Sequence, residues 1–173
     1  MRHLLVVLTF FAAFVTSAAQ DDAAKQQEST LPVVNVKNLN GETVSTATIG
    51  TDGKPTVVSF WATWCKPCMT ELTAYDELYE KWRDEIGAEV YAISIDDSRN
   101  VRKVPAFVNG RGWEFTVLLD ENQDFKRAMN VNNVPHTFIV VDGKIVWSHP
   151  AFAAGDEVEI EEELKKYSKK VSE

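Results

Sequence analysis

"FWATWCKPCMTEL", residues 60–72, holds both cysteines of the chain, Cys65 and Cys68, two residues apart and close behind Phe60, Trp61 and Trp64. Such a pair is a structural staple, a metal clip or a reaction centre. A disulfide stabilises mainly by closing a long loop in the unfolded chain, and a Cys65 to Cys68 bridge closes almost none. A four-thiolate zinc site needs cysteines that this chain does not contain. A redox couple remains, with a two-cysteine metal carrier beside it.

The flanks supply context. "PTVVSFWA", Pro55–Ala62, is the continuous apolar, β-branched run expected of a central strand covered on both faces. Beyond Lys66, residues Leu72, Tyr75, Tyr79, Trp82 and Ile86 recur at spacings of three and four, which marks one apolar helical stripe. The order strand, CxxC, helix puts Cys65 at a helix N-terminus, where unpaired backbone N–H groups and the helix dipole favour a thiolate. Lys66 adds positive charge beside it. Pro67 falls in the first helical turn, where its missing N–H costs nothing.

Further out, Ala88–Asp96 and Phe115–Asp120 read as strands, and His136–Ser148 as a hairpin turning at Asp142-Gly143. Helical stretches are expected within 98–111 near Pro105, over Asn122–Met129 and over Asp156–Lys170, the last with acids early and lysines late as the dipole prefers. Before the motif, "VVNVKNLNGETVSTATI" alternates around Asn40-Gly41 and predicts an N-terminal β-hairpin. The alternation of strands and helices predicts an α/β fold with a central mixed sheet flanked by helices.

The chain has 173 residues, 45% of them hydrophobic and 25% charged, enough for one well-filled domain. Its formal charge of -8, which becomes -9 without Arg2, repels a phosphate backbone and argues against nucleic acid. Residues 1–19 have a cationic start at Arg2, an apolar run from Leu4 to Val15 and small residues Ser17 and Ala19, the pattern of a signal peptide. That run is well short of the ~20 residues that cross a bilayer. Residues 20–30 read as a flexible polar leader, and 31–173 as the domain. Export follows, to the periplasm of a Gram-negative bacterium.

"FWATWCKPC", followed by "NNVPHTFIVVDGKIV", resembles the exported thioredoxin-like thiol-disulfide oxidoreductases of the TlpA/ResA-like family. The resemblance covers the chain from about Leu31 onward, and the span between Cys68 and Pro135 leaves room for the extra helix and strand of that branch. Thioredoxin itself matches less well, because its buried aspartate would fall on Ser59. Peroxiredoxins match less well too, because their threonine three residues before the reactive cysteine would fall on Ala62.

The resemblance implies roles. Cys65 would attack and Cys68 would resolve the mixed disulfide. The Val134-Pro135 bond would be cis and lie against the disulfide, with Trp64, Lys66, Pro67 and Val134 forming the substrate surface. Glu71, three residues beyond Cys68 and on the same helix face, would take the proton of the buried Cys68 thiol. The catalytic set is thus Cys65, Cys68, Glu71 and Pro135, with no metal and no cofactor beyond the Cys65-Cys68 disulfide. His136, which follows Pro135, could tune the thiols, bind metal or occupy a strand position, and stays outside the catalytic set. The implied partners are disulfide-containing proteins, among them apocytochromes c during cytochrome c maturation, and a membrane-embedded electron donor, with the protein acting as a monomer. A net oxidase or isomerase is the alternative within enzymes. Outside them stands a copper carrier using Cys65, Cys68 and His136.

Overall fold

The computed structural model describes residues 29–168. At its centre is Thr56–Trp61 (β4), every residue of which is buried. It runs parallel to Glu89–Ser94 (β5) on one side and antiparallel to His136–Val141 (β7) on the other. Being covered on both faces, β4 carries no polar alternation, only the apolar run seen in the sequence. Its successive side chains serve opposite layers. Ser59 bonds to a side chain of the helix Lys66–Lys81 (α1) and Trp61 packs on Phe107 of the helix Val104–Arg111 (α2). Phe60 instead meets Phe138 and Phe125, the latter on the short helix Asp124–Ala128 (α3).

The sheet extends outward from β4 in both directions. Thr116–Leu119 (β6) pairs parallel to β5, and Asn35–Asn38 (β2) pairs antiparallel to β6. Thr43–Ser45 (β3) closes the expected hairpin with β2, turning through Gly41 at φ +84°. On the other side Lys144–Pro150 (β8) folds back on β7 through Asp142 and Gly143, both at positive φ. The helix–strand insertion expected between Cys68 and Pro135 is α2 and β6, and β6 is what gives the N-terminal hairpin an edge to join.

Ser29–Thr30 (β1) pairs antiparallel with Ile145 and Lys144 of β8 and forms one edge of the sheet of the described residues, opposite β3. These two residues were assigned to the leader; instead their backbone groups extend the ladder, so the ordered domain begins at least two positions earlier than the polar composition suggested. The expected signal peptide and the remainder of the leader lie outside the described residues. Among the described residues no helix is long and apolar enough to cross a membrane.

The apolar stripe of α1 buries Leu72, Tyr75 and Tyr79, and a wider π-type turn over Trp82–Ile86 carries the stripe on to Trp82 and Ile86 before Gly87 ends it in the left-handed region. Asp156–Ser168 (α4) packs beside it, burying Ile160 and Leu164. The expected last turn to Lys170 lies outside the described residues. Glu161 of α4 joins the two helices, accepting from Trp82 Nε1 at 3.1 Å and from Lys81 Nζ at 2.7 Å, and pairing with Lys165.

Candidate functional site

The loop from β4 to α1 is held before the chemistry begins. Asp96, fully buried just past β5, accepts from Thr63 N–H at 2.9 Å and Thr63 Oγ1 at 2.6 Å, while Ser94 Oγ donates to the same carboxylate at 2.9 Å. Cys65 N–H then donates to the Ala62 carbonyl at 3.0 Å, which turns the chain into α1.

Cys65 is the N-cap of α1, and its sulfur accepts the Cys68 N–H at 3.2 Å. Sulfur thereby occupies the place where a capping oxygen usually meets the open N–H groups of a helix. The two cysteines form a disulfide with S–S 2.05 Å and Cα–Cα 5.3 Å. Cys68 is fully enclosed, whereas Cys65 is 5% exposed. Around it Trp64, Lys66 and Pro67 are exposed, Trp64 at 62%.

One turn into α1 lies a buried acid. Glu71 is fully covered, and three hydroxyls meet its carboxyl group: Ser59 Oγ donates to Oε2 at 2.5 Å, Thr137 Oγ1 to Oε1 at 2.8 Å and Tyr75 Oη to Oε1 at 3.0 Å. Burial dominates, pushing the Glu71 carboxyl up to about 7; the three donors oppose the rise and the charge of Asp156 adds to it. Burial, followed by the charge of Glu71, holds the Tyr75 phenol well above its usual range, so it stays a donor. Ser59 lies where thioredoxin would place its aspartate. Here that strand position supplies a hydroxyl, and the acid comes from the helix.

Val134-Pro135 is cis, as the resemblance implied. Pro135 is buried, Val134 is half-buried, and the Pro135 carbonyl accepts from Ala151 N–H at 2.9 Å, which ties this loop to the end of β8. Val134, Pro135 and His136 line one groove with Asn132, Asn133, Pro150 and Ala151. His136 opens β7 and its ring stacks on Phe138 at 4.4 Å, and burial followed by nearby His149 lowers its proton affinity. No group of three or more His, Cys, Asp or Glu side chains among the described residues is placed to hold a metal ion.

Ser59, Tyr75, Thr137 and Asp96 were not singled out as site residues. In the sequence Tyr75 belongs to a core stripe, and Thr137 and Asp96 to strand runs. A signal was present in each, a hydroxyl or acid within an otherwise apolar buried run, but its partner lies far away in sequence.

Residues 26–148 match the model of the AhpC/TSA family. The chain belongs to that family. Within it, Ala62 gives Cys65 a backbone carbonyl and no hydroxyl. Among curated proteins the chain is similar to the thiol-disulfide oxidoreductase ResA of Bacillus anthracis, 34% identical over 121 residues, 69% of this chain and 65% of that protein. It thus spans about 65% of the length of the first curated relatives it matches. Among solved structures it is similar to an uncharacterized thioredoxin-like protein from Porphyromonas gingivalis, with TM-score 0.72 and 47% identity over 80% of this chain and 92% of that one. StoA from Bacillus subtilis shares the fold, with TM-score 0.61 and 20% identity over 76% of this chain and 97% of its own. The fold is thioredoxin-like.

Proposed function

We propose that this protein is an exported thiol-disulfide oxidoreductase that reduces disulfides in partner proteins. The observation that carries the reading is a two-cysteine disulfide capping a helix whose next turn buries a titratable carboxyl. In the reduced state the Cys65 thiolate attacks a partner disulfide, forming a Cys65–partner bond and releasing one partner thiolate. Cys68 gives its proton to Glu71 and attacks Cys65 Sγ. The Cys65–Cys68 bond forms, the Cys65–partner bond breaks, and the second partner thiolate leaves and takes a proton from water. Two electrons pass to the partner, and a membrane-embedded donor of two electrons returns the disulfide to the dithiol. Val134 and Pro135 line the groove in which an extended partner segment lies, and exposed Trp64, Lys66 and Pro67 add to the substrate surface beside Cys65. Apocytochromes c as partners and the periplasm as compartment belong to the same proposal.

Trapping tests this. Cys68→Ser, expressed in the host and isolated under thiol-blocking conditions, is expected to carry cysteine-containing exported proteins and a membrane protein linked through Cys65. An empty trap, with stoichiometric copper in the purified wild type, would replace this reading with a copper carrier.

A further inference from the structure

Glu71 Oε1, Tyr75 Oη and Thr137 Oγ1 form a closed triangle of oxygens with edges of 3.0, 3.1 and 2.8 Å. Its protons can be counted, because each hydroxyl brings one donor and can turn to suit its neighbours. With Glu71 ionised, both hydroxyls donate to Oε1 and the Tyr75–Thr137 edge holds no proton. With Glu71 protonated on Oε1, three protons fill three edges: Glu71 donates to Thr137, Thr137 to Tyr75 and Tyr75 to Glu71. Only the Thr137 hydroxyl has turned. Ser59 donates to Oε2 in both states.

We propose that Tyr75 and Thr137 are positioning residues that make Glu71 a reversible proton store, with the Thr137 hydroxyl turning from Glu71 to Tyr75 as the proton arrives and back as it leaves. The inference rests on the oxidoreductase reading above, in which Cys68 delivers that proton. All three side chains are fully buried, so the exchange needs neither heavy-atom movement nor entering water. Such a site is organised in advance for both charge states. The groups around Glu71 come from four elements. Cys68 and Tyr75 belong to its own helix, and Ser59 and Thr137 reach it as neutral donors from β4 and β7. Asp156 at the start of α4 acts through its charge and is itself paired with His149 Nε2 of β8 at 3.3 Å.

The test uses oxidised full-length mature protein carrying Thr137→Val, Thr137→Ser or Tyr75→Phe. The protonation of Glu71 is followed by carboxyl carbon-13 NMR, with Glu71→Gln identifying the resonance. Loss of either hydroxyl takes neutral bonds from the protonated triangle and a charge-assisted bond from the ionised form; the bond to the charge is the stronger kind and opposes the raised carboxyl, so the titration midpoint should rise by about one pH unit, a roughly tenfold gain in proton affinity. Thr137→Ser should keep the wild-type midpoint. In reduced protein the pH profile of mixed-disulfide resolution should move to higher pH by the same step in the Val and Phe variants, with the rate plateau at high pH retained. A role in packing alone would change thermal stability and leave both midpoints in place, which overturns the proposal. Thr137→Ser behaving like Thr137→Val would overturn it as well. If Tyr75→Phe does not fold, the Thr137 pair decides alone. Because the carboxyl titration needs no turnover, it reads out even if the trap of Cys68→Ser is empty. A filled trap with unmoved midpoints removes only this inference.

Discussion

Ser59 and Thr137 stand directly opposite each other in the β4–β7 ladder, and each donates to a different oxygen of the same carboxyl group, Ser59 to Glu71 Oε2 and Thr137 to Glu71 Oε1. One rung of the sheet therefore holds both ends of an acid presented by the helix above it.

Glu71 makes stability depend on pH. Its carboxyl group is raised from 4.5 to about 7 on folding, so between those values the folded state binds more protons than the unfolded state. Stability therefore falls as pH rises through this window, and the loss is complete above about pH 7, reaching about 3 kcal/mol. Urea unfolding of the oxidised protein at pH 4.5 and pH 8 should show this decline. Glu71→Gln should flatten it and be the more stable protein at pH 8.

The same substitution should separate the two chemical steps. Without a carboxylate to accept the Cys68 proton, Glu71→Gln should slow resolution of a Cys65 mixed disulfide by roughly 10², the usual scale for losing a general base. Alkylation of Cys65 should change much less. Stopped-flow tryptophan fluorescence, with exposed Trp64 beside the sulfur, measures the resolving step. Equal resolution rates in both proteins from pH 5 to 9 would leave Glu71 as a core residue only.

Ser59→Asp would put a second carboxylate against Glu71 where there is now a 2.5 Å hydrogen bond. Two buried acids at that distance cannot both ionise, and an unpaired buried charge costs on the order of 3 to 5 kcal/mol. The variant should be least stable at pH 8 and recover toward pH 5, where one proton is shared. Adding Glu71→Leu should restore much of the loss, and a double-mutant cycle in urea would show the non-additivity.

Glu161 should act with the opposite sign. Lys165, then Lys81 and Trp82, bond to its carboxylate and hold it down at about 2, against an ordinary 4.5. Its contribution is present above pH 4.5 and is lost as pH falls toward 2. Glu161→Ala should lower the melting temperature at pH 7 by about 2 to 4 °C, the shift that about 1 kcal/mol gives a chain of this size. The difference from wild type should vanish at pH 2.

The fold was legible where pattern and chemistry act locally. β4 reads from an unbroken apolar run, α1 from Leu72, Tyr75 and Tyr79 at helical spacing, and the two hairpins from Asn40-Gly41 and Asp142-Gly143. Cys65, Cys68 and Glu71 were legible because they lie within about two turns of one helix and carry their own signals. What stayed hidden depends on register. Nothing within "HTFIVV" indicates that Thr137, rather than its neighbours, lies opposite Ser59; that follows from how β7 slides against β4. Asp96 was hidden similarly, because its partner Thr63 is 33 positions away. The edge strand Ser29–Thr30 was read as leader since polar residues at a sheet margin carry no buried face to betray them.

The contacts that surround Glu71 span long stretches of chain: Thr137 lies 66 positions from Glu71 and 62 from Tyr75. Contacts of that range form late, after the entropy of closing long loops has been overcome. Until β7 docks beside β4, Glu71 lacks the Thr137 donor and part of the cover that raises its carboxyl group. The surroundings of the acid beside the resolving cysteine are thus completed only as the last strands close.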